Sequence, residues 1–283
     1  MSLESRLGIL DTAAWTAADT VDDCLRDCTD LAVLAHPDDL EISLPFLISD
    51  CHRDPDRRLC LVLLSDGRGS PRGADWRHLS DAEFIDTRSR EQTAAAKQGR
   101  FSFLQLRYRS DDVRDLSIDA PTRDLVTVFE SCERLAHVYT HALTEHHSTH
   151  RGVAVRTTEA LRALPVEQRP IRFEGGHCWG AAIEAVPARL LKSHSLTADD
   201  IELVKGVLLK HESQLAVKDY CAALEGRLRT NAVLQSSPYE EDADEFVCVV
   251  MDMIDLLHGD SLEPFDWIQI LLDEFVQSLK LVG

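Results

Sequence analysis

Three side chains that can bind a metal or transfer a proton occur within four residues. His36, Asp38 and Asp39 directly follow the apolar segment 31–35 (LAVLA), which predicts a strand buried on both faces. Pro37 restricts the backbone between them. The same residues could instead form a turn in which Asp38 or Asp39 caps the next helix. A second cluster of reactive residues would favour chemistry over capping.

Histidines provide that second cluster. Five of the twelve histidines lie within residues 137–150, and His147 and His150 stand three residues apart at the predicted start of a helix. Side chains at this spacing share one helical face, so both imidazoles can point to the same place. Histidines at a helix entrance can also be ordinary polar residues. Each cluster follows a strand of the same predicted sheet. Two such clusters arise by chance less often than one does.

Together the two clusters contain the ligands of a catalytic metal site. His36, Asp39 and His150 would supply two imidazoles and one carboxylate to one Zn²⁺ per chain, with a coordination position open for water. Zinc lowers the pKa of such a water to about 7, so Asp38 could complete its deprotonation as general base. His147 could donate to a developing oxyanion. This set of groups suits the hydrolysis of an amide or an ester.

The elements that must position these residues alternate along the chain. Apolar segments predict five strands, at 31–35, 59–64, 101–108, 137–141 and from 171 onward. Helical periodicity predicts helices between and after them, at 39–53, 81–98, 121–135 and 150–163. This order predicts an α/β fold, a Rossmann-like and mostly parallel sheet with helices on both faces. In such a sheet, ligands bind at the carboxyl ends of the strands.

The last third of the chain predicts mostly helix. Residues 239–283 contain twelve acids and one Lys, with apolar residues from Phe246 to Leu257 at helical spacing. We therefore predict two units, a domain over residues 1–216 and an acidic helical C-terminal extension over 217–283 that docks on it.

Composition restricts the partners and the compartment. The formal net charge of the 283 residues is −19, which disfavours nucleic acid and anionic membranes as partners. No apolar segment reaches the length of a membrane span, so we expect no membrane insertion. The N-terminal residues lack a signal-peptide pattern and the eight cysteines include no CxxC pair. We therefore expect a cytoplasmic protein with free thiols.

A family resemblance rests on five short motifs in order. The segment AHPDDLE at 35–41 resembles the signature of the PIG-L (LmbE-like) family of zinc-dependent de-N-acetylases. LSDG at 64–67 resembles the family's L-T-D-G motif, and RSRE at 88–91 resembles its R-x-x-E motif. HSTH at 147–150 resembles H-P-D-H, and Lys205 with HESQ at 211–214 resembles K-x5-H-x-S-Q. The resemblance covers about residues 29–216.

The resemblance implies His36, Asp39 and His150 as zinc ligands, Asp38 as general base and His147 as the oxyanion donor. These are the roles that the residue types also suggest. It further implies that Arg88 contacts the substrate beyond an acetamido sugar. Asp112, or its neighbour Asp111, would be an acidic substrate contact. Glu41 would orient a metal ligand or fix the loop. His211 and Gln214 receive no role beyond a hydrogen bond that supports the fold.

The family's activity implies the function. We expect a metal-dependent N-deacetylase that acts on an amidosugar, a GlcNAc-containing glycoconjugate or a related small metabolite, and that could be a homo-oligomer. Two alternatives stay open: a non-catalytic metal-containing protein that binds a sugar or metabolite, and a zinc hydrolase of a longer N-acyl group.

The chain departs from the family pattern around the expected substrate. HSTH lacks the Asp of H-P-D-H, and residues 142–146 replace a Gly-rich approach to this motif. Residues 175–179 (GGHCW) could add a ligand through His177 or Cys178, or an aromatic wall through Trp179. A plain loop with a half-buried Trp is the simpler interpretation of that segment.

Overall fold

Eight strands form one sheet in the computed structural model, which describes residues 2–9, 11–178, 186–235, 245–258 and 262–280. The strand order is β1-β4-β3-β2-β5-β6-β8-β7. The bounds of the strands are β1 Ala13–Trp15, β2 Asp30–Leu34, β3 Leu59–Ser65, β4 Ser102–Tyr108, β5 His137–His141, β6 Arg172–Gly176, β7 Leu191–Leu196 and β8 Phe246–Asp252.

The central strands confirm the predicted Rossmann-like arrangement. Strands β4, β3, β2, β5 and β6 are parallel neighbours, whereas β1 pairs with β4, and β8 with β6 and β7, in antiparallel fashion. The order of connections reverses at β2, with β3 on one side and β5 on the other. The carboxyl ends of β2 and β5 therefore border the crevice where ligands bind in this class of fold.

Helices cover both faces of the sheet. The described helices are α1 Val21–Asp27, α2 Asp39–Ser43, α3 Pro45–Arg53, α4 Asp81–Gly99, α5 Ser110–Arg114, α6 Ala120–Glu130, α7 Ser148–Ala163, α8 Ala198–Leu208, α9 Glu212–Leu215, α10 Tyr220–Gln235, α11 Asp255–His258 and α12 Pro264–Lys280. Within the described ranges, no helix combines the length and the apolar character that crossing a membrane requires.

Strand β2 shows how the apolar segments build two cores. All five of its residues are buried, and their side chains alternate between the two faces of the sheet. Leu31 and Val33 belong to one hydrophobic cluster, and Ala32 and Leu34 belong to another. Burial on both faces is what the continuous apolar segment predicted.

One local prediction needs correction. The segment 246–252 is strand β8 rather than helix, and it lies inside the sheet between β6 and β7. A short, fully apolar segment fits either period, and here the β-branched Val247, Val249 and Val250 favour the strand. The helical segment predicted over 39–53 is present as α2 and α3, which meet at Leu44, and Pro45 begins α3 at a position that proline favours. The boundary between the predicted domain and the C-terminal extension, at residue 216, remains a prediction. Part of residues 217–283 lies outside the described residues.

An ion pair at the start of β2 leads to a stability prediction. Arg57 donates two hydrogen bonds to buried Asp30, at 2.8 and 3.2 Å. Burial by itself would raise the pKa of Asp30, because it disfavours the charged carboxylate. The hydrogen bonds and the charge of Arg57 have the larger effect, and the pKa of Asp30 is lowered. We expect Asp30→Asn to reduce the free energy of unfolding by about 1.5–3 kcal/mol at pH 7. The difference should shrink as the pH falls below the unfolded-state pKa of about 3.9 and through the lower folded-state pKa.

Urea denaturation of both proteins at a series of pH values measures this difference. The exposed Asp19 is the control position, and Asp19→Asn should leave the free energy of unfolding within about 0.5 kcal/mol at every pH. An Asp30→Asn effect that stays constant down to pH 2 would contradict the assignment to the ionised carboxylate.

Candidate active site

The end of β2 presents the first cluster in a strained turn. Asp38 has a φ of 92°, in the left-handed region, and α2 begins at Asp39. Such a conformation costs about 1–3 kcal/mol in a residue other than glycine, and it is retained where a side chain must be aimed. The carboxylate of Asp39 accepts the backbone N–H of His36 at 2.7 Å. The turn therefore directs the Asp38 side chain separately from those of His36 and Asp39.

The end of β5 presents the second cluster through the start of α7. His147 is the residue that precedes this helix, and it is exposed. His150 lies in the first turn and is 2% exposed. Their ring centres are 4.5 Å apart. The ring of His36 lies 5.4 Å from that of His147 and 5.2 Å from that of His150. The two sequence clusters thus meet at the crevice.

The distances among His36, Asp39 and His150 suit a metal ion. His36 Nδ1 lies 3.2 Å from Asp39 Oδ2 and 3.3 Å from His150 Nε2, and His150 Nε2 lies 3.5 Å from Asp39 Oδ1. Zinc bonds of about 2.0–2.3 Å in a tetrahedral site place donor atoms about 3.3–3.7 Å apart. Two imidazoles and one carboxylate are also ligands that zinc prefers. The three residues therefore fit the predicted metal in both donor type and spacing.

The charges around Asp39 and His36 agree with that assignment, whereas Asp39 and Glu145 outweigh burial and raise the pKa of His150, which must lose its proton when it binds a metal. Burial opposes ionisation of Asp39, but His150, His36 and His141 hold the pKa of its carboxyl well below the usual range. Burial lowers the pKa of His36, although Asp39 opposes the change. Asp39 is therefore a carboxylate and His36 a neutral imidazole near neutral pH, which are the forms that bind metals.

Asp38 and Arg88 form a buried pair beside the donors. Arg88, from α4, is 0% exposed and donates from Nη2 to Asp38 Oδ2 at 3.1 Å. It also donates to the backbone oxygen of Pro37 and to Ser70 Oγ. Burial and the nearby Asp39 raise the pKa of Asp38 to about 7, while Arg88 opposes the increase. A carboxyl group with a pKa near the working pH is suited to general base catalysis.

His147 has the properties of a neutral hydrogen-bond donor. Although the residue is exposed, its ring is partly shielded by the site, and this desolvation together with the neighbouring His150 and His36 lowers its pKa to about 4. The imidazole is therefore uncharged at neutral pH and carries one N–H. Such a group can donate to an oxygen that gains charge, as the sequence predicted.

A cavity of about 230 Å³ opens over these side chains. Besides the five predicted catalytic and metal residues, its lining includes side chains from α5, α9 and α10 and from the loop after β3, among them Ser70, Ser110, Arg114, Gln214 and Tyr220. Asp112 is half-buried and does not line it, and its backbone oxygen accepts from Arg156 at 2.9 Å. On α5, Ser110 and Arg114 face the cavity instead of Asp111 or Asp112. Arg88 is buried behind Asp38 rather than open to the cavity.

The remaining motifs hold the walls of the site together. Glu41, predicted to orient a ligand or fix the loop, lies 3.2 Å from His211 Nε2, and both side chains are fully buried. Glu91 accepts from the backbone and the hydroxyl of Ser213, each at 2.7 Å. Gln214 lines the cavity. The RSRE and HESQ motifs therefore connect α4 to α9, and Glu41 connects α2 to the residue that precedes α9.

Three further residues lie at the base of the site, and the sequence gave no role to two of them, His141 and Glu145. His141 stacks on His150 with ring centres 3.9 Å apart. Glu145 Oε2 accepts the backbone N–H of Cys178 at 2.6 Å, and Cys178 Sγ lies 3.6 Å from Asp39 Oδ1. His141 belongs to the histidine-rich segment and Cys178 was a candidate ligand, so both had a signal in the sequence. Trp179, the predicted aromatic wall, lies outside the described residues.

Comparisons with known proteins agree with the fold and the motifs. Residues 31–161 match the model of the PIG-L family, described as GlcNAc-PI de-N-acetylase. This range includes the first four of the five motifs and the residues His36, Asp38, Asp39, His147 and His150. No curated protein matches the chain significantly.

Solved structures share the architecture at low identity. The chain is similar to the N,N'-diacetylchitobiose deacetylase from Pyrococcus horikoshii (TM-score 0.60, 16% identity, 86% of this chain and 90% of that one). It is also similar to the deacetylase of the A40926 pseudoaglycone (TM-score 0.59, 17% identity, 80% and 97%). A third structure, the 4-carboxy-2-hydroxymuconate hydratase of Pseudomonas putida, has a TM-score of 0.54 at 15% identity and covers 80% and 96%.

At these identities the structural likeness establishes the fold alone, and the family match applies to residues 31–161, the segment that carries four of the five motifs.

Proposed function

We propose that the protein is a zinc-dependent amidohydrolase that removes an N-acetyl group from a GlcNAc-containing glycoconjugate or a related small metabolite. The observation that carries this proposal is the position of Asp38. Its carboxyl group, with a pKa of about 7, lines the cavity directly beside the donor set of His36, Asp39 and His150. A proton acceptor and a metal-binding set are thus held against one small cavity.

The donor set supports a role for a bound metal. His36, Asp39 and His150 would hold one zinc ion, which when bound acidifies water and polarises a carbonyl oxygen. The hydratase among the structural neighbours has a different chemistry on this fold, so the proposal rests on the site rather than on the architecture.

Asp38 would move the protons of the reaction. It accepts one from the attacking water and later gives it to the leaving amine, as one group can when its pKa lies near the working pH. Arg88 holds Asp38 through Nη2 at 3.1 Å and is itself fixed by Pro37 and Ser70. The carboxyl group is therefore oriented before the substrate arrives, which lowers the cost of reaching the reactive geometry.

His147 would stabilise the charge that develops on the amide oxygen. Its neutral ring carries one N–H, and it lies on the cavity side of the donor set. A donor placed for the transition state typically contributes a factor of about 10²–10³ to the rate.

The size of the cavity favours a short acyl group. As lined by the described residues, it has a volume of about 230 Å³, below the range of about 300–1,000 Å³ found for sites of drug-sized ligands. An acetyl group with part of one sugar ring suits this volume better than a long acyl chain. The exposed rim would leave the rest of a glycoconjugate in solvent.

Acetate release tests the proposal. The purified, zinc-loaded protein would be incubated with N-acetylglucosamine, N,N'-diacetylchitobiose and a GlcNAc glycoside of inositol, together with analogues that carry longer acyl groups. We expect equal amounts of acetate and free amine from at least one N-acetyl compound, and a lower rate for each longer acyl group.

Metal removal is the matched control. Chelation should abolish the release of acetate, and one equivalent of zinc per chain should restore it. Faster cleavage of the longer acyl groups would favour the alternative hydrolase. Saturable binding of a sugar without any cleavage by the zinc-loaded protein would favour the non-catalytic alternative, and both results contradict the proposal.

A further inference from the structure

Cysteine side chains gather at the edge of the sheet opposite the candidate site. Cys28 directly follows α1 and Cys132 lies two residues after α6, while Cys24 lies in α1 and Cys60 in β3. All four thiols are free. Cys24 shares a hydrogen bond with Cys60, and Cys28 Sγ lies 3.6 Å from Cys132 Sγ. The second pair therefore brings into contact two thiols that are 104 residues apart in sequence.

The backbone on both sides of this second pair is already joined. The backbone oxygen of Arg26 accepts the N–H of Glu133 at 3.3 Å, and that of Thr29 accepts the N–H of His137 at 3.1 Å. These two hydrogen bonds bracket the two thiols. A disulfide has an S–S distance of about 2.05 Å, so the sulfurs must approach by about 1.5 Å. Rotation of two side chains can supply a movement of this size while the backbone keeps its hydrogen bonds.

The two thiols differ in their access to solvent. Cys28 is 0% exposed, and its hydrogen bond to Cys132 together with burial raises the pKa of its thiol. Cys132 is only part-buried, and its thiol donates to the backbone oxygen of Val128 at 3.3 Å. Oxidation of a thiol follows its thiolate character and its exposure. An oxidant in solution therefore reaches Cys132 first, and Cys28 is held against it as the second thiol.

We propose that Cys28 and Cys132 form a redox-sensitive pair that closes to a disulfide when the protein meets a peroxide. Where thiol buffers dominate, such a pair stays reduced, and its oxidation is transient and reversible. The inference is independent of the proposed catalytic function. The pair lies at the amino ends of β2 and β5, whereas the candidate metal donors follow the carboxyl ends of these strands.

The oxidation has two steps, with hydrogen peroxide as the oxidant. The thiolate of Cys132 attacks one peroxide oxygen, so an S–O bond forms, the O–O bond breaks, and the released hydroxide takes up the thiol proton to give water. The sulfur of Cys28 then attacks the sulfenic acid. The S–S bond forms, the S–O bond breaks, and the hydroxide leaves with the Cys28 proton as a second water. Two thiols thus lose two electrons, and one peroxide is reduced to two waters.

The disulfide would stabilise the part of the fold that carries the site. It would close a loop between residues 104 positions apart, and a link of this span removes more entropy from the unfolded chain than a short one does. We expect the oxidised protein to unfold about 5–10 °C above the reduced protein. This change reaches β2 and β5 without altering any candidate metal donor.

Thiol mapping tests the pair directly. The purified full-length protein would be treated with hydrogen peroxide in slight molar excess, and the remaining thiols would be blocked with N-ethylmaleimide in urea. Proteolysis and mass spectrometry then identify the linked peptides. We expect a peptide in which Cys28 is joined to Cys132, and its conversion to two free thiols by dithiothreitol. Calorimetry of the oxidised and the reduced samples measures the unfolding temperatures.

Three variants complete the experiment. Cys28→Ser and Cys132→Ser should each abolish the linked peptide and the rise in the unfolding temperature. Cys221→Ser is the matched control and should keep both, because Cys221 is also part-buried but lies near the charged groups of Asp219 and Lys205. Circular dichroism would check folding, and Cys28→Ala would replace Cys28→Ser if the buried serine prevents folding.

Three results would overturn the inference. Peroxide that leaves both thiols free, or that oxidises Cys132 to the sulfinic acid without a link, would exclude the pair. A disulfide between Cys24 and Cys60 with Cys28 and Cys132 unlinked would assign the redox-sensitive pair to the other two cysteines. A linked protein that unfolds no higher than the reduced one would show that the native backbone does not accommodate the bond. None of these results affects the proposed zinc site, so the two proposals fail separately.

Discussion

Replacing Asp38 by Asn should lower kcat by a factor of about 10²–10⁴, the usual contribution of a positioned general base. Asn tolerates the left-handed backbone that Asp38 adopts, with its φ of 92°. Its amide oxygen can still accept from Arg88, so the fold should be preserved. The variant loses the proton acceptor and keeps every candidate metal ligand. Acetate release and metal content, measured on the same preparation, test this expectation.

Asp19→Asn provides the control for the loss of a carboxylate. Asp19 is exposed and does not line the cavity, so its removal should change kcat by less than about a factor of two. Bound zinc should remain at one equivalent in both variants. If Asp38→Asn retains activity within a few-fold of the wild type, another group must accept the proton.

Replacing Arg88 by Ala should reduce the free energy of unfolding by about 3–5 kcal/mol, because buried acceptors lose their donor and a large buried side chain is removed. Arg88 is fully buried, and it donates to Asp38, Pro37 and Ser70. Three acceptors would lose a donor at once. Urea denaturation at pH 7 with the metal removed measures the change without any contribution from metal binding.

The same variant distinguishes two roles for Arg88. The sequence predicted that it contacts the substrate, in which case KM would rise and the free energy of unfolding would stay constant. The buried position favours a positioning role, in which kcat falls and stability falls with it. Arg90→Ala is the matched control, because Arg90 is exposed on the same helix and should change stability by no more than about 0.5 kcal/mol.

The sequence predicted the candidate site well where the signals are local. The residues 36–39 follow one strand, and the histidine pair at 147 and 150 follows another, so their meeting depended only on the topology of a parallel sheet. Fold class and strand positions followed from continuous apolar segments such as 31–35. Each of these inferences needed only neighbours in sequence and one general rule about α/β sheets.

Contacts between distant segments could not be predicted in this way. Cys178 reaches the site because β5 and β6 pair in parallel, with His141 opposite Gly176. The sequence of neither strand alone determines this register. Arg88 approaches Asp38 from 50 residues away, and its burial depends on how α4 packs. Strand β8 was mistaken for helix because a fully buried strand has no alternation of polar and apolar residues.

The place of β8 in the sheet has a consequence for synthesis. Strand β7 has β8 as its one neighbour in the sheet, and β8 separates it from β6. During translation, residues 191–196 emerge about fifty residues before their partner, and the edge of β6 stays open for that time. Such an edge can pair with another nascent chain. Of the described strands β8 is thus the last to leave the ribosome, and expression of this protein should be sensitive to truncation anywhere before residue 252.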